Sequence, residues 1–295
     1  MERSGKDARV MEIRIKRWQQ LGLGAALASG TLAACSGQPA EDTPAAGPEA
    51  VAETPIATAT ALGEGEGGGV GEGEGGEGEG GVSIAAAATD PVVFNAALAI
   101  VEAHIIAARD AFAGAETDAA AEMFAHPVSE VLANMAPVFE ARGVESFDQL
   151  LVDASAAVFD GETETQINAR AEGILAALAS AAEKAPDDGS SAAAIAAGVA
   201  SDQIERATDM YRAAAESNRY EPYLDGYGFY KAGEGAFLAA EGEIEADDPE
   251  TAARLREALA ALAEAYPGAL RPDTLDADQS TLTVAASRVV LAVGH

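Results

Sequence analysis

Three features of the sequence predict an all-α fold. Apolar residues make up 48% of the chain but aromatics only 5%, and much of the apolar content is alanine, the best helix former and a poor occupant of a pleated surface. Apolar positions in the second half recur at helical spacing, and Pro, Gly and Asp clusters divide them into stretches of 14 to 27 residues. No run alternates apolar and polar residues between turn dipeptides, as strands would. The expected architecture is a bundle of about eight helices, as one or two up-down bundles, behind a disordered N-terminal tether.

The first element is a leader. Met11 reads as the better start, because Arg14, Lys16 and Arg17 then form a compact basic region ahead of the apolar run Leu21–Leu32. Twelve residues are too few to cross a bilayer, which takes about 20, and they suit a signal-peptide core. The run ends in Leu32-Ala33-Ala34-Cys35, and Cys35 is the only cysteine in the chain. These residues resemble the lipobox of bacterial lipoproteins. The resemblance implies cleavage ahead of Cys35, transfer of diacylglycerol to its thiol and acylation of the new amino group. Several acyl chains, at about 0.8 kcal/mol per buried methylene, hold a protein on a bilayer durably. Ser36 at the next position implies the periplasmic face of the outer membrane rather than retention at the inner one. Residues 1–34 are thus read as signal peptide.

Residues 35–88 cannot build a core. A Pro-, Ala- and Glu-rich stretch leads into GEGEGGGVGEGEGGEGEGG, Gly63–Gly81, where glycine maximises backbone entropy and the glutamates repel one another. The expected element is a flexible acidic spacer.

The body is read as residues 89–295. Asp90-Pro91 is a helix start, with Asp as N-cap and Pro in the first turn, and Phe94, Leu98, Val101, Ile105 and Phe112 share one face. Gly114 ends that helix. A second runs from Thr117 to Gly143, kinked or restarted at Pro127, and further helices follow over about 146–159, 163–184, 191–217, 221–241, 249–266 and 278–293.

Charge narrows the partners. The formal net charge is −31, and the first 34 residues hold six of the 18 basic groups, so the remainder is more acidic still. Such a surface repels phosphate backbones and suits cations, basic partners or plain solvation. There is no G-x-S-x-G elbow, P-loop or dinucleotide fingerprint.

Two constellations could carry chemistry. If the first two helices form a hairpin turning near residues 115–116, residues at equal height sum to about 231, and His104 and His126 sum to 230. Glu122, His126 and Glu130 fall at i, i+4 and i+8. Two imidazoles with carboxylates at one level of a bundle are a divalent-metal ligand set suited to Zn, Fe or Cu; ordinary core packing of His104 and helix capping by His126 account for the same residues without a metal. The second constellation lies in RYEPYLDGYGFYKAGEGAF, Arg219–Phe237. Tyr220, Tyr223, Tyr227 and Tyr230 form a helical stripe, read as core or as a pocket with Tyr220, Glu221, Tyr223, Asp225 and Tyr227 as ligand contacts. Gly226, Gly228, Gly233 and Gly235 are costly inside a helix, and imply close helix contact or a break beside a cavity.

A helical, envelope-bound body with a His on its first helix resembles the imelysin-like proteins, which are associated with iron uptake. Their hallmark is Gly-x-His-x-x-Glu. Glu102-Ala103-His104-Ile105-Ile106-Ala107 lacks both the Gly and the Glu, and His126 has Ser129 at the third place and Glu130 at the fourth. The resemblance implies a helical periplasmic body and transfers no site residue. The expected function is metal binding by a lipid-anchored body. The alternative is a structural or accessory envelope lipoprotein acting through protein–protein contacts. A hydrolase is a third reading, which would need a cleft with two carboxylates of separated pKa.

Overall fold

PVVFNAALAIVEAHIIAARDAFA carries apolar residues on every side, interrupted by Asn95, Glu102, His104, Arg109 and Asp110, and a helix so largely apolar is stable only when surrounded. In the computed structural model of the chain, which describes residues 81–217 and 219–294, this segment is the central helix α2, Pro91–Ala113. It is long and apolar enough to cross a membrane, yet 89% of its apolar window is buried inside the body. It is a core helix.

The described residues are all-α, with nine helices of ten residues or more. In chain order they are the short α1, Ile84–Ala87; α2; α3, Thr117–Pro127; a π-helical turn, Val128–Leu132; α4, Ala133–Arg142; α5, Asp148–Phe159; α6, Glu164–Ala182; α7, Ala192–Ser217; α8, Glu221–Asp247; α9, Pro249–Ala265; and α10, Gln279–Val293. Two four-helix rings result. Helices α2, α3, α5 and α6 form one, and α7, α8, α9 and α10 the other. They join where α2 packs against α7 and α8. The second ring runs up and down: Ser191 Oγ at the start of α7 donates to Asp247 Oδ2 at the end of α8 (3.5 Å), and Thr251 Oγ1 early in α9 donates to Ala292 O late in α10 (3.3 Å).

Three boundaries differ from the sequence reading. The body starts before Thr89: Val82 is 5% and Ala87 0% exposed, and Ser83 caps α1 by accepting from Ala86 N. Alanines that look like spacer in composition are small enough to seat against α2. The Thr117–Gly143 element is split in three by the π turn after Pro127. Helix α8 continues to Asp247, where Asp248 stops it and caps α9 by accepting from Glu250 N and Thr251 N. The leader, Cys35 and the spacer up to residue 80 lie outside the described residues.

The helix glycines mark close contact. A Cβ on Gly228 would lie 2.5 Å from the backbone oxygen of Ala103, and one on Gly226 would lie 1.9 Å from the Tyr266 hydroxyl. Helix α8 therefore approaches α2 and its own neighbours more closely than any side chain permits. Gly228→Ala gains about 1 kcal/mol of helix propensity but forces backbone apart from backbone. The expected net loss is about 1–3 kcal/mol, read as a lower urea midpoint; an unchanged or higher midpoint would show that the α2–α8 contact is not tight.

Candidate metal centre

Asp90 caps α2 through Val92 N and Val93 N, and the chain reverses over Gly114-Ala115-Glu116, with Ala115 left-handed at φ 66°. That hairpin sets α3 beside α2 and puts the rings of His104 and His126 6.1 Å apart, centroid to centroid. Pro127 has no N–H to give the helix. The bonding slips there: Val128 N donates three residues back to Ala125 O, and Ala133 N donates five back to Val128 O. One-turn π segments of this kind recur at functional sites. Here the widened turn carries Glu130, whose Oε1 lies 3.8 Å from His126 Nδ1 and whose Oε2 lies 3.7 Å from His104 Nε2.

The third wall comes from α8. Its contact at Gly228 is made with the residue just before His104, and one turn earlier Asp225 reaches in, with Oδ1 3.7 Å from His104 Nε2. One ligand atom from each of His104, His126 and Asp225 lies within 4.8 Å of the others, and so does one from each of Glu122, His126 and Glu221. His126 Nε2 is 3.4 Å from Glu122 Oε1. Exposure rises steadily outward, from His104 at 5% and Asp225 at 16% to His126 at 22%, Glu130 at 33% and Glu122 at 53%.

The electrostatics decide what such a cluster can hold. His104 Nδ1 lies 2.8 Å from Ile100 O. A carbonyl only accepts, so Nδ1 carries the proton and neutral His104 presents a bare lone pair at Nε2. Burial, the main influence, pushes the His104 pKa down, aided by His126 and Arg206 and opposed by the Ile100 bond and Glu130. The neutral ring thus faces two carboxylate oxygens, acceptor against acceptors. Asp225 Oδ1 is buried and has no hydrogen-bond partner. A hydrogen bond would draw these atoms to about 2.7–3.0 Å, whereas an ion bonded at about 2.0–2.1 Å in tetrahedral geometry holds its ligands roughly 3.3–3.4 Å apart. The two carboxylate oxygens about His104 Nε2, each 3.7 Å away, lie beyond hydrogen-bond distance and leave room for such an ion. Donation of the remote ring N–H to a carbonyl is also how ligating histidines are oriented.

The residues of the tyrosine stripe divide. Glu221 and Asp225 belong to the histidine cluster, which periodicity alone does not reveal. The tyrosines face elsewhere: Tyr220 donates to Ala269 O (3.0 Å), Tyr223 to Gly268 O (2.8 Å) and Tyr227 to Asp110 Oδ2 (2.8 Å). Burial raises the Tyr220, Tyr223 and Tyr266 phenols well above their ordinary range, so they serve as neutral donors. They fasten α8 and the 266–270 segment to the body. Phe229 supplies the apolar floor of the centre, edge-on to His104 at 5.7 Å.

Comparison with known proteins adds no relative: no family model, curated protein or solved structure matches the chain.

Burial lifts the Asp225 pKa from 3.8 to about 7; Glu221, Glu130 and Glu122 add to the rise and His126 opposes it. The folded chain therefore keeps a proton that the unfolded chain releases between about pH 4 and pH 7. Stability from this group is present below pH 4 and is lost as pH climbs through 7, by a few kcal/mol at most, since each pKa unit corresponds to about 1.4 kcal/mol. Asp225→Asn removes the charge at nearly constant volume, and its amide can donate to His104 Nε2. With metal chelated, the variant should be more stable than the parent at pH 8, by about 1–3 kcal/mol, with the gap closing toward pH 4. Urea titrations at the two pH values measure this. A less stable variant at pH 8 would mean that the carboxylate is a paired structural group.

Proposed function

We propose that this protein is a lipid-anchored envelope protein that holds a divalent transition-metal ion among His104, His126, Glu130 and Asp225. The observation that carries the reading is the bare Nε2 of His104 set 3.7 Å from both Asp225 Oδ1 and Glu130 Oε2, with no donor bonded to Asp225 Oδ1. Protons can fill that gap in acid; near neutrality a cation does so without leaving carboxylate and lone pair opposed. Two neutral imidazoles and two carboxylates neutralise a 2+ ion, and the mixed N/O set suits Zn, Fe or Cu better than the all-oxygen shells of Ca or Mg. Glu122 and Glu221 at the edge of the cluster are 53% and 33% exposed, which is the side from which an ion would enter.

The place of action rests on Leu32-Ala33-Ala34-Cys35 and the basic and apolar regions before it. Lipid on Cys35 would tether an acidic body to the periplasmic face of the outer membrane, and its negative surface gathers cations near the centre. The alternative is a metal-free accessory lipoprotein, which an exposed apolar or tyrosine-rich patch would favour; Tyr223, Tyr227 and Tyr230 are buried, whereas Leu150, Val152 and Phe159 on α5 and Val284, Val290 and Leu291 on α10 are exposed apolar side chains that such contacts could use.

Calorimetric titration with Zn²⁺ at pH 7.5 tests the metal reading. Binding tighter than about 10 μM, roughly −7 kcal/mol, is expected, with loss of at least tenfold in affinity in a His104→Ala/His126→Ala double variant. No binding tighter than about 100 μM, or equal binding by the double variant, would end it. Mass spectrometry of the membrane fraction tests the anchor; the expected N-terminus is acylated Cys35, and an unmodified thiol in a soluble precursor would contradict it.

A further inference from the structure

We propose that the centre, loaded with ferrous iron, keeps outward-facing coordination positions that admit a small uncharged diatomic molecule. This rests on the metal reading above and names the ligand such an ion would take. Three side chains bring ligand atoms within 4.8 Å of one another at the inner end of the cluster: His104, His126 and Asp225. They come from three helices, α2, α3 and α8. His104 is 5% exposed, and its Nε2 meets only carboxylate oxygens at 3.7 Å. Asp225 Oδ1 is buried without a hydrogen-bond partner. Two imidazoles and one carboxylate, with positions left open beside them, are the donor set of non-haem ferrous centres.

The remaining donors are few. An octahedral ion has about six positions, and these three side chains fill half of them. Glu130, 33% exposed and with Oε2 3.7 Å from His104 Nε2, can take one more. Glu122 and Glu221 group with His126 and not with His104 and Asp225, so they do not complete the sphere of an ion shared by the inner three. Phe229, edge-on to His104 at 5.7 Å, offers no donor. Positions are therefore left over on the side where exposure rises.

Charge selects what enters them. Ionised Asp225 and Glu130 already balance a 2+ ion, and Glu122 and Glu221 add negative charge at the mouth, where only Glu221 has a guanidinium partner, Arg219. An anion would have to pass those carboxylates to reach an ion with no positive charge in surplus. A neutral diatomic meets no such opposition, and the Phe229 ring gives it an apolar wall.

The full chain, loaded with Fe²⁺ without air and exposed to nitric oxide, tests this by electron paramagnetic resonance. The parent should give the signal of a high-spin ferrous nitrosyl, at about one spin per bound iron. The His104→Ala/His126→Ala variant, which retains the Gly- and Glu-rich tract, should give less than about a tenth of it. Asp225→Asn, expected to fold stably, should bind Fe²⁺ at least tenfold more weakly. Sodium azide titrated into the iron-loaded parent should show no binding tighter than about 10 mM. Iron retained without a nitrosyl signal, or zinc retained and iron refused, would overturn this proposal while the metal reading stood. A signal of equal size in the double variant, or azide binding at micromolar concentration, would also overturn it. Neither metal held beyond the double-variant blank would overturn both.

Discussion

Around Nε2 of His104, hydrogen-bond acceptors converge with no donor between them. A lone pair and two carboxylate oxygens at 3.7 Å repel one another in a medium that screens them poorly, and the surrounding fold is what holds them in place. The ring cannot swing away, because its Nδ1–H is fastened to Ile100 O and its face is set against Phe229. Asp225 cannot retreat, because α8 is pinned to α2 by the backbone contact at Gly228 and to the 266–270 segment by Tyr223. The packing thus holds together acceptors that oppose one another wherever Asp225 is ionised.

The two-ring architecture explains how that is sustained. Helix α2 is buried on nearly all sides and belongs to one four-helix ring while lying against two helices of the other. Most of its residues are buried, and it carries His104, the least exposed member of the cluster. The more mobile possibilities are confined outward: Glu122 and Glu221 sit on the solvent side of α3 and at the first turn of α8, where side chains can follow an ion in or out. Under the proposed metal reading, a buried base with an exposed mouth would suit capture and release better than a permanent structural metal, which is usually enclosed by four fixed ligands.

Much of this was legible in the sequence, and the rest has identifiable reasons. The helices and their breaks follow from Asp-Pro starts, glycine stops and 3.6-residue spacing, all local properties. The pairing of His104 with His126 follows from simple arithmetic because the two helices are joined by a tight turn, which fixes their register. Asp225 is different. It lies more than a hundred residues away, and its height against His104 depends on where α8 docks, which is set by glycines at 226 and 228 meeting Tyr266 and Ala103. Those glycines announced close contact but not with what. The tyrosine stripe was visible as a pattern, yet the same periodicity serves a pocket wall or a set of interior fastenings, and only the acceptors at Gly268, Ala269 and Asp110 distinguish them. The π turn after Pro127 is likewise unreadable in detail, since proline signals a defect in the helix without saying how the backbone absorbs it.

The most direct measurement of the central claim is the protonation of a single atom. In protein labelled with ¹⁵N at histidine, proton–nitrogen correlation spectra distinguish a bare ring nitrogen from one bearing hydrogen. The account predicts that, in metal-free protein at pH 8, His104 carries its proton on Nδ1 and has a bare Nε2, and that one equivalent of Zn²⁺ shifts the Nε2 resonance strongly while leaving Nδ1 protonated. A His104 Nε2 that bears hydrogen at pH 8 and is indifferent to zinc would mean that the carboxylates face a donor after all, and the metal centre would have no physical basis.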